Sequence, residues 1–288
     1  MKNKLFDKWN NVGTFSVKLS NYFDVYQHIL TPFIGKKITL VEIGVLQGGS
    51  LHFWREVFGD NARIIGIDLN KNVKIWEKEG FEIYIGDQGD SSFWKKFFDE
   101  VGNVDIVIDD GSHTYYEQIN TLINCVPKIN NDGLFITEDV HSSFQTKYGY
   151  PSKYSFANFT KLISDTLHSK FEGTDNKKNF IPDNVKNKIF SLEHFSSITS
   201  IKIKDNQGNP TKLVFNEGKN NSTVHEWSYM KQSKLKNVMK YFAKKLKFLK
   251  KIKFINFVVI KLDIILGLYL RKDQNKKCKI FFENEFKK

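Results

Sequence analysis

Five short apolar runs recur through the first half of the chain: residues 38–43 (ITLVEI), 63–67 (RIIGI), 81–85 (FEIYI), 104–108 (VDIVI) and 134–137 (LFIT). Each is β-branched and apolar almost throughout, so a strand formed from it has no face suited to water. The stretches between them, 50–58, 73–79, 92–101 and 115–126, are longer and amphipathic, and predict helices. Buried strands alternating with helices lead to an open, mostly parallel α/β sheet with right-handed crossovers and helices on both faces. No longer period repeats, which excludes solenoids and propellers.

Beyond residue 139 the alternation changes. Residues 155–171 predict a helix, and 195–203 with 212–215 flank the turn-rich DNQGNP at 205–210. That pattern predicts an antiparallel hairpin at one edge of the sheet. The polar stretch after it predicts a domain over 1–218, a linker over 219–230 and a separate tail over 231–288.

The tail carries the charge. The chain's formal net charge is +12, yet residues 231–288 hold 18 of its 44 basic and four of its 32 acidic side chains. Residues 1–230 keep 26 basic and 28 acidic ones, so the body is close to neutral. Only Arg55, Arg63 and Arg271 are arginine, the residue that reads bases and phosphates best, which makes nucleic acid a minority partner. In the tail Leu235, Met239, Phe242, Leu246 and Leu249 fall on one helical face among lysines, and the apolar run 254–270 is broken by Lys261 and Asp263. A basic helical extension that packs on its own domain or a twin subunit, or lies on a membrane surface, is expected, not a crossing helix. The start, MKNKLFDKWN, has no apolar run behind its lysines, and the two cysteines are far apart. Neither a secretory signal nor a disulfide framework is expected, and the setting is a reduced cytoplasm, with peripheral contact at the inner membrane face.

The chemistry should sit where the strands end. The first run ends in EIGVLQGGS, residues 42–50, a glycine turn that opens a helix. Its Gly-x-x-x-Gly-Gly spacing is not that of a dinucleotide site, which disfavours NAD and FAD. The second ends in Asp68, placed to accept both hydroxyls of a ribose, and the third in Gly86-Asp87-Gln88, within reach of an adenine amino group. Together these define a nucleoside pocket without a phosphate site.

The fourth run ends in Asp109-Asp110-Gly111-Ser112-His113 and the fifth in Thr137-Glu138-Asp139-Val140-His141. Paired carboxylates at apolar strand ends repel and lose hydration unless a cation joins them. Mg²⁺ or Mn²⁺ suits such oxygen donors and keeps positions open for a substrate hydroxyl. His113 then lies within reach as general base. The aromatic stretch 142–159 is a candidate lid, whereas His28 and His52 are read as completing local hydrogen bonds and Trp54, Trp76 and Trp94 as packing residues.

The segments EIGVLQGGS, GIDLN, GDQ, VIDDGSH and LFITEDVHSSF together resemble the class I S-adenosylmethionine-dependent methyltransferases. Within that class they are similar to the metal-dependent sugar O-methyltransferases of the macrocin and mycinamicin type, and to rhamnosyl and cephalosporin-hydroxylase-like sequences. The likeness covers residues 18–218. It implies a Rossmann-like sheet, with Glu42, Gly44 and Gly48 at the methionine end of the cofactor, Asp68 on its ribose, Asp87 and Gln88 near its base, and Asp109 among the cofactor-binding residues. It implies metal ligation by Asp110, Glu138 and Asp139, with His113 as base.

The function expected is metal-assisted methyl transfer from S-adenosylmethionine to a hydroxyl of a nucleotide-linked or lipid-linked sugar, in bacterial capsule or lipopolysaccharide assembly. Two other classes remain. An NAD-dependent sugar dehydrogenase would share the sheet, but this chain has neither its glycine spacing nor a Tyr-x-x-x-Lys pair near the expected strand ends. A membrane-associated scaffold explains the tail but leaves the carboxylates without a purpose. The extra helices offer a surface for a homo-oligomer.

Overall fold

The apolar runs do become strands, and their order in space sets the position of the site. A computed structural model of the chain describes residues 3–149, 152–171, 181–218, 276–280 and 283. Two helices come first, α1 (Lys4–Asn10), capped by the Asn3 side chain, and α2 (Tyr22–Leu30). After them come β1 (Thr39–Ile43), α3 (Gly49–Phe58), β2 (Arg63–Asp68), β3 (Glu82–Ile85), α4 (Ser91–Val101), β4 (Val104–Asp109), α5 (Tyr115–Cys125) and β5 (Ile129–Thr137). The chain ends its sheet with α6 (Phe156–His168), α7 (Asp183–Lys186), β6 (Ile189–His194) and β7 (Thr199–Ile203). The stretch expected as a helix after β2 is a 3-10 segment, Lys71–Glu79.

The seven strands lie in the order β3-β2-β1-β4-β5-β7-β6. Strands β1 to β5 pair in parallel, and β7 runs antiparallel to both β5 and β6. Alternate residues of each central strand feed two cores, which is why the runs read as continuously apolar. Leu40, Ile64, Ile106 and Ile136 pack beneath α1, α2 and α3, with Trp54 and Phe53. Val41, Ile65, Val107 and Phe135 pack beneath α4, α5 and α6, with Trp94, Leu122 and Phe156. The sheet is thus the expected Rossmann-like one, with an antiparallel strand near one end.

The hairpin falls one strand earlier than expected. It joins β6 to β7 through residues 195–198, and Asp205–Pro210 comes after it as a turn. Residues 212–215 make no strand: Thr211 forms a single bridge to Phe171, and Leu213, Val214 and Phe215 are exposed. Ile189 and Leu192 supply the apolar face that those residues would have had to bury. The proposed linker lies outside the described residues, as does the tail apart from 276–280 and 283. Among the described residues no helix is long and apolar enough to cross a membrane.

Candidate active site

The chain reverses its path between β1 and β4, so the loops after these adjacent strands part and leave a crevice at their carboxyl ends. The two loops touch at Gly44, whose φ is +93° and where a Cβ would lie 2.2 Å from the Asp110 carbonyl oxygen. Only glycine permits that contact. The crevice opens into a cleft of about 460 Å³ lined by Gly44, Asp68, Asp87, Gln88, Asp110, His113 and Asp139. Exposed Val17, Leu46 and Leu69 give it an apolar rim.

Asp68 organises the glycine turn. Its Oδ2 accepts the backbone N–H groups of Val45 (3.0 Å) and Leu46 (3.1 Å), and its Oδ1 that of Asn70. Asp87 accepts from Gly89 N–H and remains exposed at the cleft. Three other residues expected around a cofactor lie behind the wall. Glu42 is fully buried, accepting from Ser50 Oγ (2.7 Å) and Trp54 Nε1 (3.0 Å). Burial pushes its carboxyl up to about 7, against the pull of Lys18 and of these donors. Gly48 packs on the Trp76 ring. Asp109 points away from the cleft toward α5, as strand alternation requires. Its Oδ1 accepts from Gln88 Nε2 (2.9 Å), its Oδ2 has no partner, and burial raises its carboxyl to about 7. The Gln88 amide also donates to Thr121 and accepts from Ser112 N–H, so it ties β3, β4 and α5 together.

At the far end of the cleft, Asp110, His113 and Asp139 converge, each offering a ligand atom within 4.8 Å of the others. His113 Nε2 is 3.5 Å from Asp139 Oδ2, and its Nδ1 is buried without a partner. His113 and Asp139 both have left-handed backbones, with φ of +60° and +53°. Such strain in non-glycine residues costs on the order of 1–3 kcal/mol each and marks sites where side-chain direction matters.

Glu138, expected as a third metal ligand, turns inward instead. Its Oε2 pairs with Lys18 Nζ at 2.7 Å and its Oε1 accepts from the Tyr26 hydroxyl at 2.5 Å. Lys18 also pairs with Asp110 at 2.7 Å and lies 3.9 Å from Glu42. Burial opposes the Lys18 charge, but Asp110 and Glu138 outweigh it and hold the ammonium well above its ordinary value. Burial pushes the Glu138 carboxyl up, although Lys18 pulls it down. Tyr22 donates to Asp139 Oδ1 at 2.5 Å, fixing the outer carboxylate. Lys18, Tyr22 and Tyr26 carry no sequence signal: one lysine among many and two tyrosines of an amphipathic helix become site residues only because the N-terminal segment folds over β1 and β5.

A second pocket of about 370 Å³ adjoins the cluster, lined by His141, Phe144, Lys161, His194, Phe195 and Ser197. The segment after β5, expected as a lid, forms 3-10 turns at Val140–Phe144 and Thr146–Tyr148. Tyr115 pins it by donating to the Ser143 carbonyl, and the Tyr148 ring stands 6.2 Å from that of His113.

A central parallel sheet with an antiparallel β7, and a cleft at the β1/β4 crossover edged by acids, define the class I methyltransferase fold. Residues 41–140 match the family model described as a methyltransferase domain. Among solved structures, the MycE methyltransferase of the mycinamycin biosynthetic pathway, in complex with Mg and SAH, superimposes with a TM-score of 0.62 at 21% identity, over 72% of this chain and 55% of that one. At that identity the match speaks for the fold. Among curated relatives, 8-demethyl-8-alpha-L-rhamnosyl tetracenomycin-C 2'-O-methyltransferase of Streptomyces olivaceus is 30% identical over 56% of this chain and 43% of its own length. Demethylmacrocin O-methyltransferase of Streptomyces fradiae is 26% identical over 55% of this chain and 40% of its own. The chain thus spans less than half the length of these relatives, and its resemblance to the sugar O-methyltransferases stands.

Proposed function

We propose that the chain is an S-adenosylmethionine-dependent, divalent-metal-assisted O-methyltransferase acting on a sugar hydroxyl. The observation that carries this reading is the convergence of Asp110, His113 and Asp139 at the end of a nucleoside-sized cleft. Two carboxylates and an imidazole on oxygen-rich strand ends fit Mg²⁺ or Mn²⁺, with Asp110 and Asp139 as the oxygen donors. Glu138 could join them only by exchanging Lys18 for the ion.

When bound, the cofactor supplies a sulfonium methyl group, and the metal a charge that acidifies a nearby hydroxyl. The chain's own part is positional. Asp68 and Asp87 would hold the ribose and base, and Val17, Leu46 and Leu69 would offer the cofactor an apolar border. His113 Nε2, 3.5 Å from Asp139 Oδ2, takes the hydroxyl proton. The strained backbones of His113 and Asp139 hold both side chains in that register.

The acceptor proposed is a nucleotide-linked or lipid-linked sugar of a bacterial surface polysaccharide. A Lys- and Asn-rich composition and the +14 excess in residues 231–288 support it, since each lysine near an anionic leaflet is worth about 1 kcal/mol. Salt-sensitive binding of the full chain to anionic, but not neutral, vesicles is the expected sign of cytoplasmic-face attachment.

The deciding test is calorimetric titration with S-adenosylhomocysteine, with Mg²⁺ and after chelation, followed by transfer assays on sugar pools. Micromolar binding and metal-dependent transfer are expected. Absence of binding in both conditions overturns the reading, and NAD-dependent oxidation of the same pools would replace it with the dehydrogenase.

A further inference from the structure

The two cavities share a wall. Asp139 lines the cleft, and the next residues, Val140 and His141, line the second pocket. A ligand seated in that pocket would therefore meet the acid cluster end-on, from a different direction than a nucleoside in the cleft. The linings differ in sign. The cleft presents Asp68, Asp87, Asp110, Glu117 and Asp139, whereas the pocket has no carboxylate in its lining.

The pocket offers donors instead. Lys161 on α6 spends one N–H on Asn158 Oδ1, at 2.8 Å, and keeps two. The imidazoles of His141 and His194 use Nδ1 on the hydroxyls of Ser197 (2.5 Å) and Thr199 (3.1 Å), which leaves Nε2 to meet a ligand. Lys161 is near enough to His194 to help burial lower its pKa, so positive potential reaches across the pocket. Phe144, on the segment after β5, and Phe195, before β7, supply rings. Rings pack on the apolar face of a pyranose, while a lysine and clustered N–H donors are the partners an anion demands. In a body with net charge close to zero, a carboxylate-free pocket beside an acidic one is a local arrangement and no overall basicity accounts for it.

We propose that this pocket binds the diphosphate of a glycosyl diphosphate acceptor, with Lys161 and His194 on the phosphates and Phe144 beside the sugar. The sugar would then point its hydroxyls at Asp110, His113 and Asp139. This rests on the methyltransferase reading for the fate of the sugar, but the anion site itself is testable without it. The diphosphate could come from a nucleotide-sugar or from a polyprenyl-linked sugar, which share this chemistry.

The experiment compares three probes of one sugar: dTDP-rhamnose, farnesyl-diphosphoryl rhamnose and neutral methyl rhamnoside. Binding is read by calorimetry, alongside S-adenosylhomocysteine binding, for the full chain and for Lys161→Glu and Phe144→Ala. The expected result is that at least one diphosphate probe binds at least about tenfold more tightly than methyl rhamnoside, a charge-assisted preference lost in Lys161→Glu. S-adenosylhomocysteine affinity should stay within about twofold, which shows that Lys161→Glu is folded. Preference for the nucleotide or for the farnesyl probe identifies the source. Equal binding of all three probes, or diphosphate binding indifferent to Lys161→Glu, overturns the proposal and leaves the methyltransferase reading intact. Loss of S-adenosylhomocysteine binding in the unmodified chain, with Lys161-dependent diphosphate binding retained, overturns the methyltransferase reading and leaves the pocket.

Discussion

The cleft and the pocket meet at Asp139–His141, yet they are made of different material. The cleft is edged by backbone turns and carboxylates at the ends of parallel strands, with an apolar rim. The pocket is walled by a helix, a 3-10 segment and the turn between β6 and β7, and its polar groups are an amine, imidazoles and hydroxyls. Carboxylates suit hydroxyls and cations; amines, imidazoles and rings suit a glycosyl phosphate. The contrast teaches that one fold can set two cavities of opposite chemistry a residue apart when the backbone between them is constrained. The left-handed backbones of Asp139 and Ser197, on either side of His141, are that constraint.

The largest effect that would break this division is expected at the shared wall. Asp139→Ala or Asp110→Ala should lower turnover by at least about a thousandfold through lost metal and orientation, with S-adenosylhomocysteine affinity nearly unchanged. His113→Ala should cost about 10²–10⁴-fold in kcat. Retention of full turnover in either case would assign the cluster to structure alone.

Lys18→Met should act on the cleft side through stability. It leaves Glu138 and Glu42 buried without their cation, a loss of about 3–5 kcal/mol, part of which added Mg²⁺ should restore. Thermal denaturation with and without Mg²⁺ reads this directly; a Tm unchanged from the parent would show that Lys18 is no counter-ion.

A smaller effect concerns pH. The Glu42 carboxyl is raised from its ordinary 4.5 to about 7 by burial. The folded state therefore keeps a proton that the unfolded state has released, and the Glu42 contribution to stability is present below 4.5 and lost as pH rises to 7. Glu42→Gln should flatten the decline in stability over that window by on the order of 1–3 kcal/mol, measured by denaturation at stepped pH. An unaltered slope would place the titration elsewhere.

The smallest change sharpens the pocket side. Phe144→Ala should raise acceptor KM about three- to tenfold, the scale of one ring contact, and leave the KM for S-adenosylmethionine alone. A rise in both would mean that Phe144 shapes the whole site.

The order of strands and helices, the cleft-edge residues Gly44, Asp68 and Asp110, and the candidate base His113 were legible because they obey local rules. An apolar run buried on both faces must be a central strand, and the residues just past its carboxyl end must edge the crevice. Strand alternation likewise separates Asp109 from Asp110 by position alone.

The direction of Glu138 obeyed no such rule. It depends on Lys18 and Tyr26, more than a hundred residues away in sequence, which reach it only because α2 packs across the sheet. The hairpin was misplaced for the same reason: two adjacent segments could each have made the outer strand, and burial of Ile189 and Leu192 chose between them. The sequence alone determined which residues stand at the strand ends; the tertiary structure decided which of those carboxylates keep their charge and face the cleft, because desolvation and counter-charge depend on neighbours brought together only by folding.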